Sequence, residues 1–145
     1  MIYWDTSCVV KLYAAEVDSE KLLALAAKAD DAFCCSAMLT AELFFAFRQK
    51  ELRREVKPGG AAALFSAYER DAECGRFVLL PVGQDVLVDA IEVAKACLDR
   101  TPPIPVRTLD GIHLATARLM RVSGIVTTDE RMRAAAMLLG IPISL

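Results

Sequence analysis

Ile2-Tyr3-Trp4-Asp5-Thr6-Ser7-Cys8-Val9-Val10-Lys11-Leu12-Tyr13 sets a short apolar run, an acid and a helical segment in immediate succession. Ile2 to Trp4 reads as a strand, Asp5-Thr6-Ser7 as helix-capping residues, and Cys8 to Tyr13 as a short helix. The same alternation continues outward from this stretch. A second helix begins at Ser19 and is broken at Asp30-Asp31, and Ala32 to Cys35 is a short buried strand. Ser36 caps a long helix running towards Arg54, and Lys57-Pro58-Gly59-Gly60 is the clearest turn. A helix from about Ala61 to Glu73 precedes the strongest strand signal, Phe77 to Val82. Asp85 to Leu98 is helical, and the prolines at 102, 103 and 105 impose an extended loop. Thr108 caps a helix to about Val122, Gly124 to Thr128 is a strand, Glu130 to Leu139 a helix, and Ile141 to Ser144 a last edge strand. Short apolar strands alternating with amphipathic helices are the signature of a mainly parallel sheet covered on both faces. The expected fold is therefore an α/β three-layer α/β/α sandwich, with ligands bound at the carboxyl ends of the strands.

The composition fits one domain over residues 1–145. Hydrophobic residues make up 55% and charged residues 25%, which excludes a disordered chain. The mean hydropathy of +0.37 is high. The apolar runs, however, are broken by charges well short of the ~20 residues a spanning helix needs, so no membrane partner is expected and the surplus apolar area goes to core and interface. The first residues have no basic region, so a cytoplasmic protein without a secretory leader is expected. Five cysteines, an odd number with no C-x-x-C spacing, argue against a disulfide framework or structural zinc. All five read as small buried hydrophobes, with Cys34 and Cys35 pointing to opposite faces of their strand. A net charge of −2 gives no general attraction to nucleic acid.

Function is sought at the strand ends. Asp5 follows the first strand and Asp129 the fourth, so both reach the same edge of the sheet. Glu42 lies in an almost wholly apolar stretch, and Asp110 in the first turn of its helix. A carboxylate among such neighbours faces a cleft or is held by a partner, because burying it unpaired is costly. Taken singly, Asp5 and Asp129 read equally well as helix caps, Asp110 as a first-turn acid, and Glu42 as part of a solvated stripe beside Arg48 and Lys50. Four acids in one cleft repel one another, and a divalent cation with hard oxygen ligands, Mg²⁺ or Mn²⁺, is the usual resolution.

Tyr3-Trp4-Asp5-Thr6-Ser7, Glu42 within its helix, Thr108-Leu109-Asp110-Gly111-Ile112-His113-Leu114-Ala115 and Thr127-Thr128-Asp129 resemble PIN-domain ribonucleases of the VapC toxin type, in order and spacing over nearly the whole chain. Gly111 departs from the alanine more usual there, at a small cost in helix propensity. The resemblance implies a PIN-like fold and metal-dependent endoribonuclease activity. Asp5, Glu42, Asp110 and Asp129 would be the catalytic, Mg²⁺- or Mn²⁺-holding residues. Thr6, Ser7, Thr127 and Thr128 would orient them by hydrogen bonds, or serve only as caps and turns. It also implies an RNA substrate, a homodimer, and silencing by a cognate antitoxin protein bound across the acidic groove. The apolar helices Leu22–Ala29 and Leu39–Phe47 are candidates for that groove or for ordinary core.

A single histidine, His113, rules out a ribonuclease built on two imidazoles and weakens triad schemes. His113 itself reads as a packing residue more readily than as a metal ligand. Arg48, Lys50, Arg53, Arg54 and Lys57 read as a solvated helix face, and Arg107, Arg118, Arg121, Arg131 and Arg133 lie nearer the acids, where some could meet RNA phosphates. The alternative function is a catalytically silent PIN-like module that holds RNA or protein, against which the retention of all four acids argues. Dinucleotide binding has no glycine fingerprint to support it.

Overall fold

Trp4 and Phe33, Tyr3 and Cys34 pack side by side because the strands that carry them run parallel at the centre of one sheet. The computed structural model describes residues 1–29 and 31–145. Its strands are Ile2–Trp4 (β1), Phe33–Ser36 (β2), Phe77–Leu80 (β3) and Gly124–Val126 (β4). All three pairings are parallel, in the order β3-β2-β1-β4, with Tyr3 opposite both Cys34 and Ile125. Seven described helices complete the chain: Thr6–Tyr13 (α1), Ser19–Ala27 (α2), Leu39–Leu52 (α3), Gly60–Glu73 (α4), Gln84–Leu98 (α5), Thr108–Leu119 (α6) and Glu130–Leu138 (α7). The chain is thus the expected α/β sandwich around a parallel sheet.

The side-chain alternation of the strands divides the core in two. Tyr3, Cys34 and Ile125 point to a cluster with Val93 of α5, Leu114 of α6 and Ala135 of α7. Trp4, Phe33, Cys35 and Val126 point to the other face and meet Val9 of α1, Leu22 of α2, Leu43 of α3 and Tyr68 of α4. Cys34 and Cys35 do face opposite ways. Cys74 does not follow the expectation of burial: it caps the carboxyl end of α4 and is exposed, while the other four cysteines are buried.

Element boundaries differ from the sequence reading where turns intervene. Ser36 ends β2 instead of capping α3, its Oγ accepting from the Met38 amide at 3.2 Å across the turn. The helix break at Asp30-Asp31 lies partly on residue 30, outside the described residues, and α2 ends at Ala27. The last edge strand reduces to one parallel bridge, Ile125 with Ile143, flanked by hydrogen bonds from Ile125 N to Pro142 O (2.8 Å) and Ser144 N to Ile125 O (2.9 Å). Pro142 has no amide to donate, so the ladder cannot extend. No described helix is long and apolar enough to cross a membrane.

β1 lies between β2, the next strand in sequence, and β4, the last. The crossovers leave the sheet in opposite directions from β1, so a crevice opens beyond the carboxyl ends of β1 and β4. Asp5 enters it, with the buried Thr127 hydroxyl beside its carboxylate.

Candidate active site

Asp5 sits at the switch point because its amide continues the strand ladder, donating to Val126 O at 3.0 Å. Its carbonyl starts α1, accepting from Cys8 N and Val9 N, whereas its side chain makes no capping bond. Both hydrogen bonds to that buried carboxylate come from hydroxyls, Ser7 Oγ and Thr127 Oγ1 (3.1 Å), and both reach Oδ2. The helix-cap explanation of Asp5 therefore fails at its side chain.

Glu42 belongs to the first turn of α3, where it is partly buried. Thr6 Oγ1 donates to its Oε2 at 2.6 Å, and His113 Nε2 to its Oε1 at 3.2 Å. The His113 ring is only 3% exposed and its Nδ1 is hydrogen-bonded to Tyr3 OH at 2.6 Å. Burial alone would raise the Glu42 pKa, but the His113 hydrogen bond and charge, with Thr6, outweigh it and hold the carboxyl below its ordinary value. Burial likewise opposes charge on His113, and Glu42 first, then Asp5 and Asp110, bring the net direction upward. Both directions favour the ion pair. His113 is thus a positioning residue for Glu42, and Tyr3 positions His113. The spacing of His113 three residues after Asp110 was the one sequence signal for this role; for Tyr3 there was none.

Asp110 and Asp129 are fixed by helix starts. Asp110 Oδ2 accepts from the Arg107 amide at 2.9 Å, the reaching-back half of a capping box, and also from Arg107 Nε at 3.3 Å. Asp129 caps α7, with Oδ1 accepting from Arg131 N (2.8 Å) and Met132 N (3.3 Å). The Arg131 guanidinium closes on the same carboxylate through Nε to Oδ1 at 3.3 Å and Nη2 to Oδ2 at 2.8 Å. That hydrogen bond, against a weaker effect of burial, keeps Asp129 below the ordinary carboxylate range. Capping and cleft-facing are compatible for these two acids.

All four carboxylates line one cleft of about 890 Å³, together with Thr6, Ser7 and His113. The cleft continues along α3, past Ala41, Phe45 and Ala46, to Lys50 and Arg53. Thr6, Ser7 and Thr127 bond to the acids as expected, but Thr128 Oγ1 accepts from Lys11 Nζ at 2.8 Å instead. Neighbouring residues in extended chain face opposite ways, and Thr127 already takes the cleft side. Lys50 is no part of a solvated face: it is 7% exposed, ion-paired to Glu16 and, at 2.8 Å, to Glu55. Among the aromatics of α3, Phe47 is core, whereas Phe45 is 67% exposed at the cleft wall.

The sequence matches the PIN domain family over residues 2–138. The chain belongs to that family. A PIN domain relative, Ribonuclease VapC35 of Mycobacterium tuberculosis, is 33% identical over 99% of this chain and 95% of its own length. Two solved structures share the fold. Mycobacterium tuberculosis VapC20, described as a Sarcin-Ricin loop cleaving toxin, has a TM-score of 0.69 at 18% identity, covering 93% of this chain and 95% of that one. A toxin–antitoxin complex from Klebsiella pneumoniae has a TM-score of 0.58 at 14% identity, covering 89% and 87%.

Whether this PIN domain's acids suit a divalent cation is answered by their donor atoms. Carboxylate oxygens are the hard ligands such ions take. The hydrogen bonds to Asp5 and Asp110 all fall on Oδ2, which leaves each Oδ1 unengaged among the described residues. No buried side-chain polar atom lacks a partner among those residues, so both free oxygens open to the cleft. Among the described residues no three such groups are gathered into a cage; Glu42 is hydrogen-bonded to His113 and Asp129 to Arg131. The donor set fits a hard cation in type, with Asp5 and Asp110 already open to it.

Proposed function

We propose that this PIN domain is a Mg²⁺- or Mn²⁺-dependent endoribonuclease of the VapC toxin kind, with Asp5, Glu42, Asp110 and Asp129 holding the ion. The observation that carries the reading is the convergence of these four acids, from four separate elements, on one cleft at the switch point of the sheet. The ribonuclease named above, related over almost its whole length, supports the same activity. A divalent ion bound there would supply Lewis-acid activation of water and neutralise charge on the scissile phosphate.

The protein's own groups do the rest. Ser7 and Thr127 pin Asp5 Oδ2, leaving Oδ1 aimed into the cleft. Thr6 and His113 hold Glu42 ionised at the cleft floor. Backbone amides fix Asp110 and Asp129 at their helix starts, which limits the side-chain freedom of both. The apolar wall of Ala41, Phe45 and Ala46 suits a segment of a cognate antitoxin, a partner supported by the likeness to a toxin–antitoxin complex. We place the protein in the cytoplasm as a homodimer, consistent with its free thiols and its exposed apolar side chains.

Cleavage of total cellular RNA by the purified protein tests the reading, with Mg²⁺ or Mn²⁺ against EDTA and with Asp5→Asn as control. Discrete cuts that need both the metal and Asp5 are expected, with activity reduced at least about 100-fold in the variant. Cuts that survive EDTA or the substitution would refute the metal mechanism.

A further inference from the structure

Two of the four acids are held twice, by different kinds of partner. The main chain fixes their position: Arg107 N holds Asp110, and Arg131 N with Met132 N holds Asp129. Guanidinium groups balance their charge: Arg107 Nε on Asp110, and Arg131 Nε and Nη2 on Asp129. The amide contacts cap the helix starts, and breaking one costs helix stability. The guanidinium contacts can be released, since the Arg107 and Arg131 side chains are 68% and 39% exposed and a rotamer change returns them to water.

We propose that Arg107 and Arg131 are exchangeable counterions: they neutralise Asp110 and Asp129 while no divalent cation is bound, are displaced when one binds, and then hold phosphate oxygens of the nucleic acid entering the cleft. The inference rests on the reading of these acids as cation holders. The amides keep both acids at their helix starts while the guanidiniums exchange. In each state two positive charges, from the arginines or from the cation, offset half of the fourfold negative charge. Paired arginines offset part of the fourfold negative charge before the cation arrives. Afterwards the cation takes over that role, and the freed planar donors face an anionic backbone that they match in charge and geometry.

Mn²⁺ titration by calorimetry and electron paramagnetic resonance tests this on wild type, Arg107→Gln, Arg131→Gln, Arg131→Lys and Asp5→Asn, with thermal melts to confirm folding. Removing a competing guanidinium should tighten Mn²⁺ binding about 2- to 5-fold for each glutamine variant, the range set by a partly exposed ion pair. Arg131→Lys should stay nearer wild type. Binding of a labelled single-stranded RNA in Ca²⁺, followed by anisotropy, should weaken about threefold in the same glutamine variants. An arginine with a purely structural role would not move the two affinities in opposite directions. Mn²⁺ binding that is lost in Asp5→Asn but equal or weaker in the glutamine variants overturns the exchange alone. Wild type that binds no Mn²⁺, or Asp5→Asn that binds it as well as wild type, overturns the reading of the acids as well.

Discussion

Glu55 shows how a single exposed carboxylate records its neighbours. Arg53 first, then Lys50, pull its pKa down to about 2 from an ordinary value of 4.5. A carboxyl whose folded value lies below its unfolded value adds stability above the unfolded pKa and loses it as pH falls towards the folded one. Glu55→Gln should therefore flatten the acid limb of the stability curve between pH 4.5 and about 2. Urea unfolding at pH 6 and pH 3 checks this: the drop in midpoint between the two should be smaller in the variant. Lys50 belongs to the same knot, and it is the residue whose surroundings the sequence conceals most. A lysine in the run Arg48-Gln49-Lys50-Glu51 has every local sign of facing water, and only the return of Glu16 from the loop after α1 buries it. The acids were easier to read, because a carboxylate in an apolar stretch or just after a strand is conspicuous wherever the chain leads. The partners of those acids were not, since His113 with Glu42 is a contact between residues 71 apart.

α6 concentrates the site, carrying Asp110 in its first turn and His113 one turn later. It packs along α5 more extensively than any other helix pair of the fold, and the Arg118–Asp89 ion pair fastens the two near its carboxyl end. Gly111 lies in this contact. A methyl group there would meet Ala90 O at 3.6 Å and Ala90 Cβ at 3.9 Å, ordinary van der Waals distances, and its backbone has no left-handed strain. Gly111→Ala should accordingly stabilise the protein by about 0.5–1 kcal/mol through helix propensity, seen as a higher midpoint in thermal melts. A loss instead would mean that the added methyl is not accommodated against Ala90. Helix and strand identities were legible from periodicity and capping residues. The ends were less so, since a hydroxyl such as Ser36 can serve a turn as readily as a helix start, and only the backbone path decides.

At the scale of the molecule the sheet separates two cores that share no apolar side chain. Leu22 on one face and Leu114 on the other are both fully buried. Each truncation to alanine should cost about 2–5 kcal/mol. The double variant should equal their sum within about 0.5 kcal/mol, because the layers between them keep the two sites from sharing neighbours; denaturant titration of the four proteins decides it. The layered architecture was readable because parallel sheets demand apolar strands and crossover helices, a constraint written along the whole chain. The hydroxyl of Thr127 reaches Asp5 across 122 residues of sequence, and β4 completes the crevice only by pairing with the first strand. During synthesis at the ribosome, Asp5 and Glu42 emerge early and wait, while the residues that orient and complete their cleft are still being joined. The cleft is therefore finished only once β4 has left the exit tunnel and docked beside β1.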